Sequence, residues 1–251
     1  MLFKEIGVKG NPTMILLHGG GLSDWSLQGI VEKLKNEFYI VTPIIDGHGE
    51  DGHEEFVSIE DSAMELIEYI DKHLSGKAFI LGGLSIGAQI VTEVLSQRKD
   101  IAQFAIIESA LVYPIKVTAL LTVPTYKLFY GLINQRWFAK QQAKALCVPD
   151  TMFEKYYQDS LKISKQSLIN ITLSNGNYKL KNDINKTQSK VLIIVGEKEI
   201  PIMKKSAFKL HNAIVGSELY IAPSLKHGEL SLKYSDRYID LIKTFIYKVG
   251  E

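Results

Sequence analysis

Gly83-Leu84-Ser85-Ile86-Gly87 sets a serine between two glycines, after the apolar run Ala78 to Leu81 and ahead of a helix-like segment from Ala88. A chain that turns sharply from strand to helix needs residues without β-carbons around the turn, and a serine at its apex projects its oxygen above the sheet. Such a serine is a candidate nucleophile. A hydroxyl is weak at neutral pH until a base takes its proton and an acid holds that base, so a histidine and a carboxylate are required as well. His227, in Pro223-Ser224-Leu225-Lys226-His227-Gly228, follows the last strand candidate and precedes the final helix. Glu199, in Gly196-Glu197-Lys198-Glu199, comes directly after the apolar strand candidate Val191 to Val195. All three therefore fall on loops at the carboxyl ends of strands, one edge of a parallel sheet, in the order serine, acid, histidine.

Attack on a carbonyl creates an oxyanion, which needs two backbone donors. His18-Gly19-Gly20-Gly21, after the strand candidate Thr13 to Leu17, lets the N–H of Gly20 or Gly21 approach a substrate oxygen, and the N–H of Ile86 at the start of the next helix supplies the second donor. His18 itself reads as a structural residue that hydrogen-bonds the neighbouring loop. Asp46, His48, Glu50, Asp51, His53, Glu54 and Glu55 are of the types that bind zinc or manganese. No second spaced ligand pair accompanies them, so a solvated acidic loop is the expectation. Cys147 has no histidine near it in sequence and reads as a packing residue, and Trp25 as one that packs the glycine loop, with one face available to substrate.

The elements that must carry these residues alternate short apolar runs with longer amphipathic ones, the pattern of an α/β protein with a mostly parallel sheet and helices on both faces. Strands are predicted at Leu2 to Val8, Thr13 to Leu17, Phe38 to Thr42, Lys77 to Leu81, Phe104 to Ile107, Val191 to Val195 and Glu218 to Ile221. Helices are predicted at Asp24 to Lys35, Ile59 to Leu74, Ala88 to Gln97, Met203 to Ala213 and Ser235 to Lys248. In the last of these Tyr238, Leu241, Ile242, Phe245 and Val249 recur at helical spacing and should face the core. Residues 112–182 break the rhythm, with aromatic, basic and apolar residues interleaved through Tyr126, Phe129, Tyr130, Trp137, Phe138, Phe153, Tyr156 and Tyr157. This segment is expected to be a helical insertion over the carboxyl edge of the sheet, with a new helix starting at the Pro149-Asp150 step. Most of its aromatics are expected to pack helices together, and a few to line a pocket.

Taken together, His18-Gly19-Gly20, Asp46-Gly47-His48-Gly49, Gly83-Leu84-Ser85-Ile86-Gly87, Gly196-Glu197-Lys198-Glu199 and Lys226-His227-Gly228 resemble the landmarks of the α/β-hydrolase superfamily, and they span most of the chain. The resemblance implies an eight-stranded, mostly parallel sheet with a helical lid inserted after the sixth strand. It also implies Ser85 as nucleophile, His227 as base, and Gly20 and Ile86 as oxyanion donors. The acid after the seventh strand is usually Asp in that superfamily and is Glu199 here, a methylene longer. Glu197, or Glu108 at the end of the sixth strand where some members place the acid, are the alternatives.

A chain of 251 residues is long enough for one large α/β domain, 1–251, with 112–182 as a lid within it. Apolar residues make up 46% and the net charge is +1, which points away from disorder and from a polyanionic partner such as nucleic acid. One cysteine excludes an internal disulfide framework, and with neither a leader-like amino terminus nor a membrane-length apolar run the expected location is the cytoplasm. No cofactor or metal is expected, no membrane partner is expected, and the oligomeric state is open. The expected activity is that of a serine hydrolase cleaving a small or medium-chain carboxylic ester through an acyl-enzyme on Ser85, His227 and Glu199. Imidazolium cannot accept the serine proton, so activity should fall in acid. Hydrolysis of a thioester, lactone or carbon–carbon bond on the same triad, or ligand binding without turnover, are the alternatives. A lid acting as a membrane or partner interface through the aromatic and basic residues from Tyr126 to Lys144 is disfavoured, because that segment lacks a clean amphipathic stripe.

Overall fold

The computed structural model describes residues 1–248. Seven strands form one sheet: β1 (Leu2–Ile6), β2 (Thr13–Leu17), β3 (Tyr39–Ile44), β4 (Ala78–Leu84), β5 (Ala102–Glu108), β6 (Lys190–Gly196) and β7 (Glu218–Ala222), in the spatial order β1-β3-β2-β4-β5-β6-β7. Only β1 runs antiparallel, against β3, and the remaining neighbours are parallel. The sheet is thus mostly parallel, as expected, but has seven strands among the described residues where the resemblance implied eight. A single antiparallel strand precedes the parallel set, so the insertion follows the fifth strand of this chain, and Glu199 follows the sixth.

Among the described residues ten helices accompany the sheet: α1 (Gln28–Leu34), α2 (Ile59–His73), α3 (Ile86–Gln97), α4 (Lys116–Phe129), α5 (Arg136–Ala145), α6 (Phe153–Ser160), α7 (Lys165–Asn177), α8 (Pro201–Ala213), α9 (Glu229–Lys233) and α10 (Ser235–Lys248). Strand side chains alternate between the two faces. Ile15, Leu17, Val41, Leu81, Ala105, Ile107, Val191 and Ile193 pack against α2, α3 and α8 through Leu66, Ile90, Val94 and Leu210. The intervening Met14, Leu16, Ile40, Ile80, Phe104, Ile106, Leu192 and Ile194 pack against α1 and α10 through Ile30, Leu34, Ile242 and Phe245. The inward face of α10 comprises Tyr238, Ile239, Ile242, Phe245 and Ile246, with Leu241 only partly covered. Val249 lies outside the described residues.

The segment predicted to begin at Asp24 opens as a single 3-10 turn, Asp24–Leu27, before α1, because Trp25 and Leu27 both turn inward there. The helix after Ser85 starts at Ile86 rather than Ala88, and β4 runs on to Leu84, so strand passes into helix with a single residue between. Ser58 caps α2, its hydroxyl accepting from the Asp61 amide at 3.0 Å.

Between β5 and β6 the chain is helical, with α4 to α7 and intervening 3-10 turns. Several ties hold this insertion to the sheet layer. The Gln89 amide on α3 donates to Leu111 O at 2.8 Å and Asn175 O at 3.1 Å, clasping both ends of the insertion, and the Phe56 and Ile59 amides donate to the Ser167 and Ser174 hydroxyls of α7 at 3.2 and 3.0 Å. Within the insertion, the Ile115 amide donates to Gly176 O at 2.7 Å. Helix α4 is turned inside out. Its inward face carries Thr118, Thr122 and Tyr126, with the Thr122 hydroxyl donating to Thr118 O at 2.6 Å and the Tyr126 hydroxyl 3.0 Å from Thr172 Oγ1. Its apolar residues Val117, Leu120, Leu121 and Leu128 are 62%, 76%, 53% and 74% exposed.

Candidate active site

Ser85 sits at φ 55°, ψ −115°, a left-handed conformation that a β-carbon tolerates poorly. Its neighbours enforce it. The Ser85 amide donates to Glu108 O at 2.9 Å, continuing the β4–β5 ladder, while its own carbonyl accepts from Gln89 N at 3.0 Å and opens α3. A β-carbon at Gly83 would lie 2.4 Å from Gly87 O, and one at Gly87 would lie 2.5 Å from His18 O and 2.8 Å from Leu17 O. All of those neighbours are backbone atoms, so the close passage of α3 over β2 and β4 depends on both glycines.

Gly20 and Ile86 lie beside this turn. As the first residue of α3, Ile86 has an amide with no intrahelical acceptor, and it points out of the positive end of the helix dipole. An ideal β-carbon on Gly20 would be 3.6 Å from Ile86 Cγ2, so the glycine loop and the helix start adjoin. His18 fixes that loop from behind. Its Nε2 accepts from the Ile45 amide at 3.1 Å, which leaves Nδ1 protonated to donate to Gly19 O at 2.9 Å. Complete burial, with His48 nearby, pushes its pKa down to about 3, so the ring is neutral. His48 packs edge-on to it with ring centroids 5.2 Å apart and donates from Nδ1 to Asp46 O at 3.0 Å. Among the described residues no group of three or more His, Cys, Asp or Glu side chains is arranged to hold a metal ion.

The structure brings together His227 and Glu199. His227 Nδ1 donates to Glu199 Oε2 at 2.7 Å, which leaves Nε2 free to accept a proton. Glu199 Oε1 accepts from the Gly196 amide at 2.8 Å and from the Ser109 hydroxyl at 2.6 Å. The side chain thus folds back to the end of its own strand, which takes up the extra methylene. Burial opposes its ionisation, but the bonds from His227, Ser109 and Gly196 outweigh it and hold the carboxyl below the usual range.

Glu197 and Glu108 are placed differently. Glu197 Oε2 accepts from the Ser224 amide at 2.7 Å, and the Lys198 amide donates to Leu225 O at 2.8 Å, so this loop and the histidine loop are stitched side by side. Glu108 is wholly buried. One of its oxygens lies 3.4 Å from the Ser231 amide and the other has no partner, and burial pushes its pKa up to about 7. Ser109 is the residue that sequence reasoning missed. It has φ 57°, and the only trace of it in the sequence is a small hydroxyl residue directly after the last strand position of β5.

A cavity of about 500 Å³ opens onto Ser85, Gly20 and Gly21. Its walls come from the insertion: Ile115, Thr118 and Tyr126 near α4, Ile133, Gln142 and Tyr156 on the middle segments, and Leu168, Ile171 and Thr172 on α7. No side chain lining it carries a charge. Trp25 does not line it. The indole packs with Leu22 and Tyr156, donates to Asp159 at 3.0 Å, and borders a separate cavity of about 400 Å³ with Cys147.

A family model described as serine aminopeptidase, S33, matches residues 9–230. The chain belongs to the S33 serine aminopeptidase family, among the α/β hydrolases. Within that family's wider fold it superposes on an esterase from Thermogutta terrifontis with a TM-score of 0.77 at 17% identity, covering 100% of this chain and 94% of that one. It also superposes on an enol-lactonase from Burkholderia xenovorans with a TM-score of 0.79 at 13% identity, covering 98% and 96%. At such identities the likeness is one of fold. In sequence, 73 residues are 33% identical to a pimeloyl-[acyl-carrier protein] methyl ester esterase of Vibrio vulnificus, so the match spans only 29% of that relative and 29% of this S33-family chain.

Proposed function

We propose that the protein is a serine hydrolase that cleaves carboxylic esters of small or medium acyl groups, with Ser85 as nucleophile, His227 as base and Glu199 as the acid that holds it. The observation that carries this is the His227–Glu199 bond of 2.7 Å on the sheet edge where Ser85 occupies its strained turn. Ser85 Oγ attacks the ester carbonyl as His227 Nε2 takes its proton. The amides of Gly20 and Ile86 receive the oxyanion, and collapse of the tetrahedral intermediate expels the alcohol with the proton that His227 returns. Water, deprotonated by the same imidazole, then releases the acid and regenerates Ser85. The chemistry uses only these groups. In this reading α4 to α7 are a lid within a single domain, and the protein works in the cytoplasm. No described helix is long and apolar enough to cross a membrane.

The uncharged cavity supports an ester rather than a peptide amino terminus as substrate. An α-ammonium placed in that space would meet hydroxyls and amides but no carboxylate partner for its charge. An uncharged acyl chain suits the volume and the lining.

The test is the intact mass of wild type and Ser85→Ala after exposure to a small fluorophosphonate, followed by an acyl-chain panel of esters. One phosphonyl group on wild type and none on the variant, with turnover of at least one ester, is the expected result. A folded wild type that neither labels nor turns over any ester or thioester, yet binds acyl ligands, would make the protein a receptor and overturn the reading.

A further inference from the structure

The outward face of α4 is an apolar stripe. Val117, Leu121, Pro124 and Leu128 follow one another at spacings of four, three and four, with Leu120 beside them, and all five are exposed. Such spacing places them along one side of a helix. On an ordinary surface helix this side would face the core, but here the core side is taken by Thr118, Thr122 and Tyr126, with the hydroxyls of Thr122 and Tyr126 satisfied internally. Phe129, the last residue of α4, and Trp137 on α5, 51% and 61% exposed, add two aromatics.

The charge of the same segment identifies what covers this stripe. From 109 to 149 the chain contains no Asp or Glu, and it contains Lys116, Lys127, Arg136, Lys140 and Lys144. Arg136 is paired with Glu154, while Lys127, Lys140 and Lys144 are exposed. A second copy docking by a two-fold axis would set this cationic segment against itself. A bilayer with anionic headgroups satisfies both features, because acyl chains receive the leucines, the headgroup zone receives the indole, and the lysines meet phosphates. We propose that the exposed face of α4, with Lys127 on it and the exposed Lys140 and Lys144 of α5, docks the protein on an anionic lipid surface. The inference is independent of the catalytic reading. It has a consequence for that reading all the same, since Thr118 and Tyr126 on the opposite side of α4 line the cavity that reaches Ser85.

The experiment is sedimentation of the full chain with vesicles of phosphatidylcholine and phosphatidylglycerol in equal parts, and with phosphatidylcholine alone. Wild type is expected to bind the mixed vesicles about tenfold or more tightly than the neutral ones, and more weakly as salt screens the lysines. Leu121→Glu with Leu128→Glu should weaken binding about 100-fold, as expected for two leucines withdrawn from the acyl region. Both sites are exposed, so the unfolding midpoint of the double variant should match wild type. Lys127→Glu with Lys140→Glu should abolish the preference for the anionic vesicles. Wild type remaining in the supernatant with both vesicle types, or leucine variants that bind like wild type, would overturn the proposal. So would concentration-dependent self-association of wild type that Leu121→Glu abolishes, which would make the stripe a contact between copies.

Discussion

Replacing Glu199 with aspartate keeps the charge and removes one methylene, and it is the sharpest probe of how this acid works. The carboxylate is held from two sides, by Gly196 and Ser109 on Oε1 and by His227 on Oε2. Shortening the side chain by about 1.5 Å, one carbon–carbon bond, cannot preserve both sides. If the anchored side is kept, the contact with His227 opens from 2.7 Å to about 4 Å, beyond hydrogen bonding. A hydrogen bond involving an ionised group contributes about 1.5–3 kcal/mol, so kcat/KM should fall about 10- to 150-fold. Glu199→Gln keeps the length and loses the charge. It removes the stabilisation of imidazolium and admits the wrong tautomer, and should cost about 10⁴-fold, as the corresponding change does in serine proteases. Initial rates on a small activated ester, with the second-order rate of fluorophosphonate labelling as a check on the serine itself, measure both. An aspartate variant within about twofold of wild type would refute the length argument. A larger loss on Glu197→Gln or Glu108→Gln than on Glu199→Gln would refute the assignment of the acid.

Three further outcomes are expected. Glu108 titrates near 7 in the native state against 4.5 in the unfolded chain, so between those values the folded protein holds a proton that the unfolded one has released, and stability falls as pH rises through that window, by at most about 3 kcal/mol. Urea unfolding of Glu108→Gln should show a flatter dependence and a gain over wild type at pH above about 7, and a variant that follows the wild-type pH curve would exclude the buried proton. Gly87→Ala forces a methyl within 2.5 Å of His18 O and 2.8 Å of Leu17 O, and should cost about 3 kcal/mol or more in the same assay. Leu168→Trp fills part of the cavity and should shift ester preference toward shorter acyl chains with little change in labelling of Ser85, which an acyl-chain series would read directly.

Most strands were legible because they are apolar runs bounded by turns, and a run of this kind in a parallel sheet can be little else; β1, antiparallel and carrying Lys4 and Glu5, is the exception. Thr13–Leu17 was read to the residue. Their ends were less legible: β4 extends through Gly82 and Gly83, residues that ordinarily weaken a strand, because the elbow at Ser85 requires them there. The eighth strand came from the resemblance and not from any run in this sequence. At the site, the order and spacing of Ser85, Glu199 and His227 pointed to one sheet edge; His227 and Glu199 are bonded to each other, and Gly228 lies against Leu84, next to Ser85. The separation among three glutamates was not legible, since it depends on which backbone amides each side chain meets. Glu197 is taken by Ser224 and Glu108 is sealed beneath Ser231. Ser109 had no pattern to announce it. The apolar stripe of α4 was present in the sequence, but which side of the helix faces inward is decided by hydroxyls on two helices that only the fold brings together.

In the order β1-β3-β2-β4-β5-β6-β7, the strand that ends at Ser85 is the middle one of seven. Amides in such a strand exchange with solvent only when the whole sheet opens, whereas helices outside the sheet, joined to it by Gln89 and scattered side-chain bonds such as those of Ser167 and Ser174, can open without it. Native-state hydrogen exchange should therefore divide this chain into a slow body that contains the nucleophile and a fast cap that decides what reaches it. A protein divided in that way can change its diet by drift in the cap alone, since alterations between β5 and β6 leave the most protected part of the molecule untouched.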